Sequence, residues 1–299
     1  MTSHYGKKEA FRAQLLLTYA DGSQTVIGTD TSWKTSFRGP IVYGDIYGGE
    51  TYDGNADLSF RQSGYDDSKW NYAEINREFS GIICSLTGEP VRVREDLELT
   101  PDSITVYDGA TGAAEDKYGN INVIGSYQDG DSFTLNPGET AVVNMGQNFA
   151  GWDELQLEGA KGTVVTMRHG EMLNDNEGLK SRGNDGPEGS LYTANLRSAK
   201  ATGRYIMNGQ GTETYHSTTT FYGFQYLEIT TTKPVTIHRV RGLVLTSVAN
   251  DTGRLTTSNA DVNQLISNIV WGQYGNYLRD VYKRQGQIHG RYRRLRRRL

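Results

Sequence analysis

Apolar and polar residues alternate over short stretches through most of this chain. Arg12–Tyr19 is strand-like, Asp21-Gly22 is a turn pair, and Thr25–Thr29 returns, which predicts a hairpin. Ile41–Tyr47 is a further strand candidate, and Pro90–Leu99 alternates as a half-buried strand does. Short β runs at Ile104–Tyr107 and Ile121–Ile124 flank and interrupt a loop-rich stretch, Gly109 to Gly130. Closely spaced strands are then expected at Thr140–Met145, Trp152–Glu158, Thr163–Arg168, Tyr205–Met207, Phe221–Thr230 and Val235–Val248. Turn residues such as Asn136-Pro137-Gly138 and Asn208-Gly209 separate them. Strands that follow one another without helices between them indicate antiparallel sandwiches, not a parallel α/β sheet. Glu171–Lys200 is polar and without a period, the kind of long connection that often lines a functional surface.

The period changes at Ser258. Ser258-Asn-Ala-Asp261 resembles a capping box with Asp at its last position. Val262, Leu265, Ile266, Ile269, Val270, Tyr274, Tyr277 and Leu278 then recur at helical spacing, predicting one amphipathic helix to about Asp280. No repeat of solenoid period is present.

Composition agrees with a β-rich chain. The 299 residues suffice for about two domains, with 36 Gly, 19 Tyr and only 36% apolar residues. No apolar run reaches the ~18 residues of a membrane helix. No signal peptide is visible behind Met1, which leaves the location open. Cys84 is alone, which excludes a disulfide framework and a Cys-rich zinc site.

The charge is uneven. Residues 281–299 hold Lys283 and seven arginines and no acid, leaving 23 basic against 35 acidic residues in the rest. An acidic body argues against nucleic acid and suits a neutral ligand or a calcium site. The Arg-rich end reads as non-native text from a broken frame. A solvated native end and an anion-binding tail are the alternatives.

Four constellations carry potential chemistry. Asp45, Glu50, Asp53 and Asn55 fall within a glycine-rich stretch, so calcium at Asp45, Glu50 and Asp53, or sugar contact, is one reading. Carboxylates capping backbone NH groups are the other. Gly64–Trp70 is a loop with Trp70 as an aromatic plug, expected in the core rather than as a sugar platform. Gly146-Gln147-Asn148-Phe149-Ala150-Gly151-Trp152 places two amides between glycines, where they can satisfy buried backbone groups. In Arg168-His169-Gly170-Glu171, His169 is expected as a satisfied surface histidine rather than a general base. Nothing fixes the separation of Glu171 from Asp153, so they are not taken as a glycosidase pair. His4, His216, His238 and His289 lack metal spacing, and no phosphate loop, nucleophile elbow or His-Glu-x-x-His occurs.

Taken in order, these stretches resemble a family. Gly146–Trp152, Arg168–Glu171, Leu196–Tyr205, Phe221–Glu228, Gly253–Asn259 and Leu265–Gly272 are similar to the central region of bacterial α-L-rhamnosidases of glycoside hydrolase family 78. Gly28–Lys34 and Gly39–Asp53 resemble that family's N-terminal jelly roll. The resemblance implies a mainly β chain: two antiparallel β-sandwich domains, jelly-roll and concanavalin-like, then the first helix of a truncated (α/α)6 barrel. The implied domains are 1–95 (incomplete at its start), 96–250 and 251–281, with 282–299 as the foreign tail.

Three departures stand out. The family's jelly roll starts before the point matched by Met1. Asp53-Gly54-Asn55 replaces its Asp-Ala-Arg. The family's Pro-Thr-Asp-Cys-Pro-Gln-Arg continuation is absent after Val281.

The family activity is hydrolysis of terminal α-L-rhamnose with inversion, which needs an acid and a base about 6.5–9.5 Å apart. Both carboxylates belong to the barrel, so no catalytic residue is assigned here and the chain is expected to be inactive alone. No cofactor is required, and calcium is allowed. The implied partners are rhamnose-containing glycosides and the remaining barrel, with no nucleic acid and no membrane segment. Gly146, Gln147, Asn148, Trp152, Glu171, Phe224 and Tyr226 are the motif residues, in structural roles. A calcium-dependent rhamnose-binding module is the alternative.

Overall fold

The computed structural model describes residues 10–78 and 89–278. Cys84, His4, His289 and the Arg-rich tail lie outside the described residues. The chain divides into two compact units, Met1–Pro40 with Ala56–Thr87, and Ile41–Asn55 with Gly88–Leu299. Residues 41–55 thus group with the later strands.

In the first unit, β1 (Gln14–Thr18) and β2 (Gln24–Gly28) form the expected hairpin around Gly22. A short pair joins Lys34–Thr35 to Asn71–Tyr72. Trp70 is half-buried, in a small cluster with Phe60 and Tyr65 at 5.9 and 5.8 Å, rather than in a large core.

The second unit is built on one large sheet assembly. Its strands are β3 (Ile41–Asp45), β4 (Gly49–Asp53), β5 (Ser103–Thr111), β6 (Asn120–Tyr127) and β7 (Phe133–Leu135). They continue with β8 (Thr140–Gly159), β9 (Val164–Gly170), β10 (Thr202–Ile206), β11 (Thr212–Tyr215), β12 (Tyr222–Thr231) and β13 (Val235–Thr246). The order is β7-β13-β8-β12-β9-β10-β4-β3, with β5 and β11 also on β8, and β6 on β5. All these pairs are antiparallel except β4 with β10, where Thr51–Asp53 runs parallel to Arg204–Ile206. That pair departs from the all-antiparallel expectation, because β4 reaches the sheet from far upstream instead of through a hairpin.

The two strands expected at 140–145 and 152–158 are one 20-residue strand, β8. Its first half pairs with β5 and β12, its second half with β13 and β11. A register shift between Asn144 and Phe149 separates the β5 pairing from the β13 pairing, while β12 pairs with β8 on both sides of it. The stretch expected to be loop-rich, Gly109 to Gly130, contains all of β6, and β5 runs on to Thr111. Conversely, Pro90–Leu99 holds only the Arg92–Val93 pair and a short 3-10 turn.

The core lies between these strands. Leu135, Ala141, Val143, Leu155, Leu157, Met167, Phe224 and Ile229 have no exposed surface. Each sits at an inward position of an alternating strand, and burial of such a side chain contributes about 1.5–3 kcal/mol.

The helix, α1 (Ala260–Asn276), starts one residue later than expected. Asn259, not Ser258, is its N-cap: Asn259 Oδ1 accepts from the Asp261 and Val262 amides at 2.9 and 3.2 Å. Its apolar stripe is only partly used. Tyr274 is buried, while Leu265 and Ile269 remain 57% and 53% exposed. No described helix is long and apolar enough to cross a membrane.

Candidate functional site

The acidic stretch of β3 and β4 does not form a shared cation site. Asp45 Oδ1 accepts the Tyr47 and Gly48 amides, closing its own turn. Asp53 Oδ1 accepts the Asn55 amide and side chain, both at 2.9 Å, and Asn55 Nδ2 also reaches the Met207 carbonyl. Glu50 is fully buried. Its Oε2 accepts from the amides and hydroxyls of Thr218 and Thr219 at 2.7–3.0 Å, and Oε1 accepts from the Tyr215 hydroxyl. Burial opposes the charge of Glu50, but the threonine hydrogen bonds outweigh it and lower its pKa. Glu50 thus ties β4 to the loop before β12. Among the described residues, no group of three or more His, Cys, Asp or Glu is placed to hold a metal ion.

Gly49 must be glycine here. Its φ is +108°, and a Cβ would collide with the Thr202 backbone.

His169 is not a surface residue. Alternation along β9 turns Val165, Met167 and His169 to one side, and along β8 turns Asp153, Leu155 and Leu157 to one side. His169 is completely buried, with Nε2 2.7 Å from Asp153 Oδ1 and Nδ1 2.8 Å from the Ala201 carbonyl. A carbonyl only accepts, so Nδ1 is the donor to Ala201. The ring stacks on Tyr222 at 3.6 Å and 8°. Tyr222 continues through Ser217 to Tyr215 and Glu50, so one polar network threads the core. Burial pushes the phenols of Tyr215 and Tyr222 up, which keeps both as donors. Beside it, Arg168 pairs at 3.1 Å with Glu228, whose carboxyl is raised by burial although Arg168 opposes the shift. Composition alone conceals Asp153 and Glu228, but the inward phase of β8 was a usable signal for Asp153.

The motif residues meet around the bulge of β8. Gly146 has φ +71°, a left-handed conformation that suits glycine, and its amide donates to Asn144 Oδ1 at 2.9 Å. Gln225 Nε2 donates to the same oxygen at 3.1 Å and to the Tyr226 hydroxyl at 3.3 Å. Phe224 is buried and lies 4.5 Å from the Phe149 ring. Trp152 donates through Nε1 to the Thr220 carbonyl at 2.6 Å and stacks on His216 at 4.7 Å. Gln147 and Asn148 are not spent on buried backbone. They bulge outward, Gln147 onto the exposed Asn148 carbonyl at 2.8 Å and Asn148 onto Glu171 at 3.3 Å.

Together with α1, this bulge walls a cavity of about 590 Å³. Gln147, Asn148, Glu171 and Gln225 line it from the sheet, and Gln264, Asn268, Trp271 and Asn276 from the helix. Such a lining can hydrogen-bond in both senses, and Trp271 and Phe149 add aromatic surface. Among the described residues it contains a single carboxylate, Glu171, and no pair of carboxylates.

Comparison with known proteins gives one answer. The sequence model of the α-L-rhamnosidase N-terminal domain matches residues 1–95, and that of the bacterial α-L-rhamnosidase concanavalin-like domain matches 134–246. An α-L-rhamnosidase of Streptomyces avermitilis is 34% identical over 92% of this chain and 23% of its own length. One from Formosa agariphila is 28% identical over 93% of this chain and 26% of its own length. The chain spans about a quarter of the length of these relatives. The crystal structure of the Streptomyces avermitilis enzyme complexed with L-rhamnose superposes with TM-score 0.68 at 33% identity, covering 92% of this chain and 23% of that one. The α-L-rhamnosidase from Dictyoglumus thermophilum gives 0.65 at 27% identity, over 89% and 25%. The domain matches, the shared mainly β fold and these relatives together show that the chain belongs to the bacterial α-L-rhamnosidase family.

Proposed function

We propose that this chain is the β-domain scaffold of an enzyme that hydrolyses terminal α-L-rhamnose from glycosides with inversion, and that the acid and base lie outside it. The observation that carries this reading is the similarity to α-L-rhamnosidases along nine-tenths of the chain but only a quarter of theirs. The internal carboxylates support it. Asp153 is paired with His169, Glu228 with Arg168 and Glu50 with Thr218 and Thr219, so each is engaged in holding strands together.

The test is an assay on an aryl α-L-rhamnoside. The 299-residue chain should show no turnover. A protein extended to the length of the relatives should release rhamnose, with the β-anomer appearing first by NMR. Turnover by this chain, or inactivity of the extended protein on every rhamnoside tried, overturns the reading.

A further inference from the structure

We infer that the cavity between the β8 bulge and α1 is a binding subsite for a neutral saccharide. The inference rests on the rhamnoside reading only for the choice of sugar.

The lining excludes other ligand classes first. Among the described residues no Lys, Arg or His lines the cavity, so none of them compensates a phosphate, sulfate or uronate. Glu171 is the one carboxylate that lines it among the described residues, too few for a hard cation that takes six or more oxygens. The amide-rich wall disfavours a purely apolar ligand, which would leave those groups without partners.

What remains matches a polyol. Among the described residues, the side-chain oxygens of Gln147, Asn148, Gln225, Gln264 and Asn276 accept no hydrogen bond from protein, since each amide is engaged only through its nitrogen. Sugar hydroxyls donate to such oxygens and accept from amide nitrogens. Trp271 supplies an aromatic surface for C–H faces, and Phe149 and Ala150 add an apolar corner suited to the methyl group of a 6-deoxy sugar. The wall is held in place rather than improvised. Asn144 fixes both Gly146 and Gln225, and Asn148 fixes Glu171. The volume of about 590 Å³ falls within the ~300–1,000 Å³ common for small-ligand sites.

The experiment is saturation-transfer NMR and calorimetry on the full chain with L-rhamnose, methyl α-L-rhamnoside, D-glucose and D-galacturonate. Two variants accompany it. Gln264→Ala removes an exposed amide from the helix. Gly272→Leu fills the cavity from a position where a Cβ meets open space. Circular dichroism melts check that both fold. L-rhamnose or its methyl glycoside should bind, galacturonate should not, Gln264→Ala should weaken binding about ten-fold, and Gly272→Leu should abolish it. Binding of glucose but not of rhamnose, lost in Gly272→Leu, keeps the subsite and removes rhamnose as its ligand. Absence of binding to all four, preference for galacturonate, or binding unchanged in both variants overturns the subsite and leaves the family reading untouched.

Discussion

Two leucine-bearing strands of this protein meet opposite fates. In β1, Leu15 and Leu16 are 55% and 53% exposed, and their hairpin partners Val26 and Ile27 are exposed too. In β8, Leu155 and Leu157 have no exposed surface at all. Residue type and local geometry are the same. The difference lies in neighbours: β1 and β2 form a two-stranded sheet, whereas β8 is flanked on both sides along most of its length. A two-stranded ribbon has no second layer to cover it, and it is marginal by itself. Apolar sequence thus makes a strand available for burial, but only a facing layer buries it.

That contrast can be broken by mutation. The largest expected effect is at Phe224, central in the buried core of the second unit. Phe224→Ala should lower stability by about 3–5 kcal/mol in urea melts, as large core truncations do. A loss below about 1 kcal/mol would mean that the core is not packed as described.

Glu50 comes next. Glu50→Ala strips the partners from two amides and three hydroxyls, and should cost about 2–3 kcal/mol at neutral pH. Its folded pKa is lowered, so its contribution is complete above the unfolded value of about 4.3 and fades as pH falls through the folded value. The gap between parent and variant should therefore narrow only in acid. Glu228, raised by burial, works in the opposite sense, so the gap rather than either curve is the quantity to follow. A gap that is flat with pH would contradict the buried charge.

The smallest effect is expected in the hairpin. Leu16→Lys should change stability by less than about 0.5 kcal/mol, because the side chain is half in water already. It should also reduce self-association in sedimentation, since an exposed apolar ribbon is an edge that other chains can join. A loss comparable to that of Phe224→Ala would show that the hairpin is covered in solution.

Much of the fold was legible because strand and helix periods survive in the residue order. The Asp21-Gly22 hairpin, the short strands and the one helix followed from that order alone. The continuity of β8 was hidden, because Gly146 and Gly151 look like interruptions and instead serve a bulge and a close approach to Leu243. The helix stripe was over-read: periodicity marks a face as apolar, and says nothing about what covers Leu265 and Ile269. At the site, the Gly146–Trp152 motif and Glu171 stand out in the sequence, but satisfying buried backbone is the role it suggests for the Gln147 and Asn148 amides, which in the structure line the cavity with Glu171. The acidic stretch allows two readings in sequence, a cation or sugar loop and carboxylates that cap backbone amides, and Asp45 and Asp53 do the second. In the structure Asp45, Glu50 and Asp53 each turn to separate partners.

The sequence by itself determined the class of the protein: strand-rich, acidic in its body, rhamnosidase-like in its motifs, with inward and outward faces set by a period of two. Only the tertiary structure decided which carboxylates are buried and with whom. Glu50 meets Thr218 and Thr219 from 168 and 169 residues away, and Asp153 on β8 meets His169 on β9 with β12 between those strands in the sheet order. Such pairings depend on which strands become neighbours. That choice is made by the burial of whole faces at once, and no local stretch of sequence contains it.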